Sequence, residues 1–159
     1  MIRNAEVKDI PQVLDIVHEF YDESKFAKYF NVGWDDKDMF IFLRDLIMSE
    51  DGAFMLAEKD GKAIGFVFGA VREWYAKKDD LIAVEFGWYV CPEHRGGITG
   101  KELLVAFENW GIDKGANSVE SGTVVPVKPR MVGRLLGTLG YKQYNHVYVK
   151  HIGDNHGRS

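Results

Sequence analysis

Val84-Glu85-Phe86-Gly87-Trp88-Tyr89-Val90-Cys91-Pro92-Glu93-His94-Arg95-Gly96-Gly97-Ile98-Thr99-Gly100-Lys101-Glu102-Leu103-Leu104 changes character twice along its length. The apolar, aromatic run over 82–90 is β-prone and stops at Pro92. A helical pattern begins near Gly100, with Leu103, Leu104 and Phe107 on one face. Arg95, Gly96, Gly97, Ile98, Thr99 and Gly100 form the link between them. A strand, a glycine-rich link and a helix N-terminus together suit a phosphate group. Small residues let backbone N–H groups approach the anion, and the first helical turn adds unpaired donors and a positive dipole end. Arg95 and Lys101 add charge.

Spacing excludes two familiar phosphate loops. Gly100-Lys101 is followed by Glu102, where a P-loop needs Ser or Thr. Glycines at 96, 97 and 100 do not fit the Gly-x-Gly-x-x-Gly of dinucleotide sites.

At 159 residues, a single domain over 1–152 with a frayed polar tail over 153–159 is expected. Hydrophobic residues make up 46%, enough for a proper core. A net charge of −4 argues against nucleic acid as the main partner and is compatible with a cationic or amine substrate. The single cysteine, Cys91, excludes an internal disulfide framework and fits a reducing, cytoplasmic setting. The N-terminus lacks the apolar region of a signal peptide, and no apolar run approaches the roughly 18 residues of a membrane span. Histidines 18, 94, 146, 151 and 156 show no zinc-ligand spacing, so no metal is expected.

Along the chain, a short first strand precedes a helix over 7–21, with Pro11 tolerable only near its start. A second helix over 37–49 is capped by Asp35 or Asp36. Phe26, Tyr29, Phe30 and Trp34 lie between; they either seal the core edge or form a substrate-side wall. Strands over 53–58 and 63–71 are joined by Lys59-Asp60-Gly61-Lys62, a hairpin signal. A polar connection over 74–80 leads to the strand over 82–90. A helix over 100–114 stops at Gly115, and a strand over 118–125 follows. A short helix over 130–139 ends at Gly140, and one or two final strands occupy 141–152. The order is mixed α/β with sequential hairpins in the middle.

The central stretch resembles the signature of the GNAT superfamily of acetyl-CoA-dependent N-acetyltransferases, Val-x-Pro-x-x-Arg-Gly-x-Gly-x-Gly/Ala followed by a helix. Val90, Pro92, Arg95, Gly96 and Gly100 fall in register, and Ile98 replaces the middle glycine. Leu139-Gly140-Tyr141 resembles the family's Leu-Gly-Phe after its last helix. The resemblance implies a central, mostly antiparallel mixed sheet of six to seven strands with about four helices, splayed between strands 4 and 5. It implies acetyl-CoA as cosubstrate and an amine-bearing small molecule or protein as acceptor, with no membrane partner; a homodimer is compatible with it. The backbone of Trp88, Tyr89 and Val90 would meet the pantetheine arm, and Arg95, Gly96, Gly97, Ile98, Thr99, Gly100 and Lys101 would wrap the pyrophosphate.

Acetyl transfer needs a neutral amine, hence a base. Glu85 lies in an otherwise apolar strand where family members often place a catalytic glutamate; it is either that base, an edge-facing solvated glutamate or a structural ion-pair partner. The family's usual acid, a tyrosine four residues before the Leu-Gly-Phe glycine, is Leu136 here. Tyr141 and Tyr144 are nearby and read as packing. Cys91 reads as a small buried hydrophobe, against a covalent role with His94. A non-catalytic acyl-CoA-binding module of the same fold is the rival reading.

Overall fold

A computed structural model describes residues 1–124 and 126–153. The elements are β1 (Ile2–Asn4), α1 (Ile10–Glu23), α2 (Phe26–Phe30), α3 (Asp36–Met48), β2 (Gly52–Lys59), β3 (Lys62–Trp74), β4 (Lys77–Val90), α4 (Thr99–Asp113), β5 (Ser118–Glu120) and α5 (Pro129–Thr138). The strands form one sheet in chain order; every pairing is antiparallel except β4 with β5.

Alternation along the strands builds two core layers. Phe54, Leu56, Phe66, Phe68 and Tyr89 face α1 and α3, where Ile10, Val13, Val17 and Leu43 are buried against them. Ala53, Met55, Ala57, Val67 and Ala83 face the other way, onto Leu103 and Phe107 of α4. The Asp35 carboxylate accepts the Asp38 N–H at 2.9 Å and starts α3, as its sequence position suggests. Asp60 and Gly61, at φ 51° and 74°, make the two-residue turn joining β2 to β3.

The structure corrects four expectations. Residues 74–80 are not a connection: β3 and β4 run on until Trp74 pairs with Lys77. Lys77, Lys78 and Asp79 are exposed, so this hairpin tip projects past the core and needs no apolar face. The fifth strand is three residues long, and Val125, which ends its expected range, lies outside the described residues. Five α-helices form among the described residues instead of about four, because part of the aromatic connection coils into α2. The sheet has five strands among the described residues rather than six or seven. Residues 141–152, expected to hold the last strands, pair with no strand among the described residues, and β5 offers only three residues of edge. Residue 153 of the expected tail is described; 154–159 lie outside the described residues.

The splay between β4 and β5 is the feature that positions the site. Parallel pairing runs through Ile82–Ser118, Ala83–Val119 and Val84–Glu120 and goes no further, while β4 continues to Val90. At the same level the β3–β4 register slips: Phe68 faces Gly87 and Gly69 faces Glu85, leaving Phe86 as an extra residue. The bulge changes the parity of β4. Ala83 before it and Trp88 and Val90 after it pack on the α4 side, whereas Tyr89 packs on the α1 side.

Candidate active site

Antiparallel alternation decides which backbone groups are available. The Cys91 N–H donates to the Ile64 carbonyl at 2.9 Å, and the register makes Phe66–Tyr89 the next bonded pair. Val90 and Trp88 therefore turn their N–H and C=O groups away from β3, into the gap that β5 has left. The Tyr89 backbone faces β3, so it does not share the exposed edge expected for all three residues.

The gap opens into a cleft of about 260 Å³. Trp88, Tyr89 and Val90 line one side, and Arg95, Gly96, Gly97 and Gly100 line the turn at its end. Ile98, Thr99 and Lys101, from the same expected set, are not among its lining residues; the Ile98 side chain is 67% exposed. The opposite wall comes from Val127, Lys128, Met131, Val132 and Leu135. Sequence reasoning read that helix but not its role. The signal was present: 128, 131, 132 and 135 share one helical face.

The end of the cleft is rich in unpaired donors. The Glu102 N–H, on the Ile98 carbonyl at 2.9 Å, is the first to find a helical partner, so those of Thr99, Gly100 and Lys101 open the helix. Gly97 has no protein atom within 4 Å of where a Cβ would sit, and its φ is not positive. Nothing inside the chain requires glycine there, and its bare backbone leaves room for a ligand. Gly100 differs, because a Cβ there would lie 3.2 Å from the Trp88 indole. The Trp88 Nε1–H is buried without a hydrogen-bond partner among the described residues.

Arg95 has a partner that was not foreseen. Its Nη1–H and Nη2–H donate to the two oxygens of Glu23, at 2.8 and 2.7 Å, and its Nε–H donates to the Val90 carbonyl at 2.7 Å. The Tyr89 hydroxyl donates to the same carboxylate at 3.0 Å. Arg95, then Tyr89, hold the Glu23 carboxyl below its ordinary pKa against the opposing effect of burial. This clasp ties the glycine turn to the end of α1, and it commits the guanidinium that the sequence had offered to phosphate.

Glu85 stands at the apex of the splay, half-buried. The Ser121 hydroxyl donates to Oε2 at 2.8 Å and the Gly122 N–H reaches the same oxygen at 3.4 Å. Oε1 has no partner among the described residues. Burial pushes the carboxyl up to about 7, with the Ser121 and Gly122 donors opposing it. Such a group is a carboxylate above neutrality and accepts a proton readily, as a general base requires. Neither Ser121 nor Glu23 was singled out from sequence; their partners lie 36 and 72 positions away.

The remaining candidates fall out of the cleft. Burial drives the Cys91 thiol up to about 11, which keeps it protonated and unreactive. Leu136 is buried in the core. Phe26 packs edge-on to Phe20, 5.6 Å between centroids, and Trp34 stacks on His18 at 4.5 Å, so these two rings seal the core edge. Tyr29 and Phe30 remain exposed.

The profile of the Acetyltransferase (GNAT) family matches residues 14–132. The chain belongs to this family. An aminoglycoside N(6')-acetyltransferase type 1 of Stenotrophomonas maltophilia is 30% identical over 96 residues, which are 58% of this chain and 63% of that protein. The chain thus spans less than two thirds of the curated relatives it matches. Among solved structures, AAC(6')-Iy in complex with the bisubstrate analogue CoA-S-monomethyl-acetylneamine aligns over 97% of this chain and 98% of its own. Its TM-score is 0.77 at 19% identity. A transcriptional regulator from Bacillus halodurans aligns over 96% and 99%, with a TM-score of 0.75 and 16% identity. These likenesses establish the GNAT fold. Among the described residues no helix is long and apolar enough to cross a membrane.

Proposed function

We propose that this GNAT chain is an N-acetyltransferase that moves an acetyl group from acetyl-CoA to a primary amine of a small, cationic molecule. The unpaired edge of β4 carries this reading. An extended chain with two amides, such as the pantetheine arm, matches a strand that has lost its neighbour; Trp88 presents its backbone N–H and C=O to it and Val90 its N–H, the Val90 carbonyl being held by Arg95. The donors of the turn and of the first turn of α4 suit the pyrophosphate. The space beside Gly97 and the partnerless Trp88 Nε1–H fit a ligand at this position. Bound acetyl-CoA supplies an acyl group already activated as a thioester.

The chain's own contribution is proton removal and placement. An alkyl amine resembles lysine, with a pKa near about 10.4, and arrives protonated. Oε1 of Glu85 takes that proton, while Ser121 and Gly122 hold Oε2 and fix the carboxylate. The neutral nitrogen then forms its bond to the acyl carbon as the carbon–sulfur bond breaks and the thiolate departs. With Leu136 buried where the resemblance places an acid, thiolate leaves without a protein donor from that position. Support for a cationic acceptor comes from the net charge of −4 and from Asp15, Glu19 and Asp22, exposed along α1 at helical spacing. The curated relatives, named for aminoglycosides, act on molecules of that chemistry.

The test is release of CoA thiol from acetyl-CoA with a panel of acceptors: aminoglycosides, simple polyamines and lysine-containing peptides. Turnover with the small polycations is expected. Tight acetyl-CoA binding with no turnover on any amine would show a binding module instead, and turnover on peptides alone would show a protein-modifying enzyme.

A further inference from the structure

A half-buried base that accepts a proton in every cycle must also release it. Glu85 bonds only to Ser121 and Gly122, just past the end of β5, among the described residues, so its outlet has to be sought on the neighbouring elements. α4 crosses the sheet antiparallel to β4: Gly100 lies against Trp88 and Val90, Phe107 beneath Gly69, and Gly111 against Ala83 and Val119. Gly69 is the cross-strand partner of Glu85. Glu108, next to Phe107 and one turn before Gly111, therefore stands at the level of Glu85. β5 brings Val119 opposite Ala83 and, two residues on, Ser121 to the Glu85 carboxylate.

Tyr141 completes this ring. It follows α5 directly, and with Glu108, Val119 and Lys142 it lines an open recess of about 390 Å³. Its hydroxyl is buried and faces the Glu108 carboxylate, outside ideal hydrogen-bond geometry. Phenylalanine would fill the same space without burying a polar atom, so packing alone does not account for the oxygen. Burial first, then the Glu108 carboxylate it faces and the charge of Glu85, hold this phenol well above its ordinary pKa. It stays protonated, ready to accept a proton on oxygen while giving up its own. Lys142 is the cation of the recess, and the nearby Glu120 is occupied by Arg72 at 3.4 Å.

We propose that Tyr141 and Glu108 form the exit for the proton that Glu85 removes from the amine, an inference that rests on Glu85 being the base. The proton breaks its bond to the amine nitrogen and forms an O–H bond on Glu85. It then passes to the Tyr141 oxygen across one water, as the phenolic proton moves to the Glu108 carboxylate. Glu108 releases it to water in the recess. One proton leaves per turnover, and the two carboxylates and the phenol return to their starting states. Tyr141 and Glu108 act through Glu85 and are positioning residues for its proton.

The experiment compares Tyr141→Phe, Glu108→Gln and Glu85→Gln in the full chain on one accepted amine. It reads kcat, the KM for acetyl-CoA, the solvent deuterium isotope effect, and rescue by added imidazole. Tyr141→Phe is expected to lower kcat at least about tenfold, less than the roughly 10²–10⁴-fold of a positioned acid or base because it acts one step removed. Acetyl-CoA KM should stay within about twofold, thermal stability should not fall, the isotope effect should rise, and imidazole should restore turnover. Glu108→Gln should behave alike, and the double variant no worse than either single one. It also serves as the independent test should Tyr141→Phe not fold. Unchanged kcat and isotope effect in both, with Glu85→Gln still impaired, would overturn the exit while leaving the base in place. A silent Glu85→Gln would overturn both.

Discussion

β4 is one strand with two unlike halves. From Leu81 to Val84 it lies between β3 and β5, and its α4 face meets a helix so closely that a Cβ on Gly111 would stand 3.0 Å from that of Ala83. From Glu85 to Val90 it keeps β3 alone and carries a bulge, a carboxylate and an indole N–H without a partner. An exposed strand edge is normally a liability that proteins cover. Here the edge forms one wall of a cleft and α5 forms the other. The paired half is where packing dictates residue choice, and the open half is where it does not. Gly111 and Gly97 show the contrast: neighbours crowd the first, and no protein atom stands near the second.

That contrast can be broken most severely in the paired half. Phe107 is fully buried beneath Gly69. Phe107→Ala is expected to cost about 3–5 kcal/mol, lowering the melting temperature by roughly 10 °C for a chain of this size. Thermal unfolding measures it, and a loss near zero would mean that α4 does not hold the paired half together.

In the open half the expected loss is functional. Gly97→Val should weaken acetyl-CoA binding at least about tenfold, about 1.4 kcal/mol, with little change in melting temperature because no protein atom crowds the site. Gly100→Val sharpens the comparison. It should lower both affinity and stability, since the added carbons meet Trp88. Calorimetry together with thermal unfolding separates the two variants. Unchanged affinity for Gly97→Val would remove the turn from the cofactor site.

The smallest effect belongs to Ile98, which points into solvent. Ile98→Gly should leave acetyl-CoA affinity within about threefold, under about 0.7 kcal/mol by the same conversion. A large tightening by calorimetry would mean that this side chain obstructs the site.

What could be read from sequence follows the same division. The strand, glycine turn and helix were legible because each is locally encoded: Pro92 stops the strand, and α4 begins at Thr99, one residue before the expected Gly100. The Asp60-Gly61 turn and the Asp35 cap were legible for the same reason. The end of β5 was not, because strand pairing is settled by residues far apart and Thr123, Val124 and Val125 are again β-prone beyond it. Tyr144, Val147 and Tyr148 are likewise β-prone residue types yet remain exposed. The Glu23–Arg95 clasp joins positions 72 apart and redirects a guanidinium whose local context pointed to phosphate. Glu85 was legible as a carboxylate out of place among apolar residues; its Ser121 and Gly122 donors, and the level it shares with Glu108, required the fold.

Turnover from pH 6 to 9.5, for the native chain and for Glu85→Gln on one accepted amine, tests the open half as a catalytic edge. With the Glu85 carboxyl at about 7, the base is lost to protonation as pH falls through neutrality, so native turnover should drop along a limb near pH 7. Glu85→Gln keeps shape and hydrogen bonding but has no basicity. It should bind acetyl-CoA as before, lack that limb, and turn over at least about tenfold more slowly near neutrality, a positioned base typically contributing roughly 10²–10⁴-fold. The deficit should shrink toward pH 9.5 as more of the amine is already neutral. Parallel profiles of equal height would contradict a base at Glu85 and leave the reaction to positioning by the cleft alone.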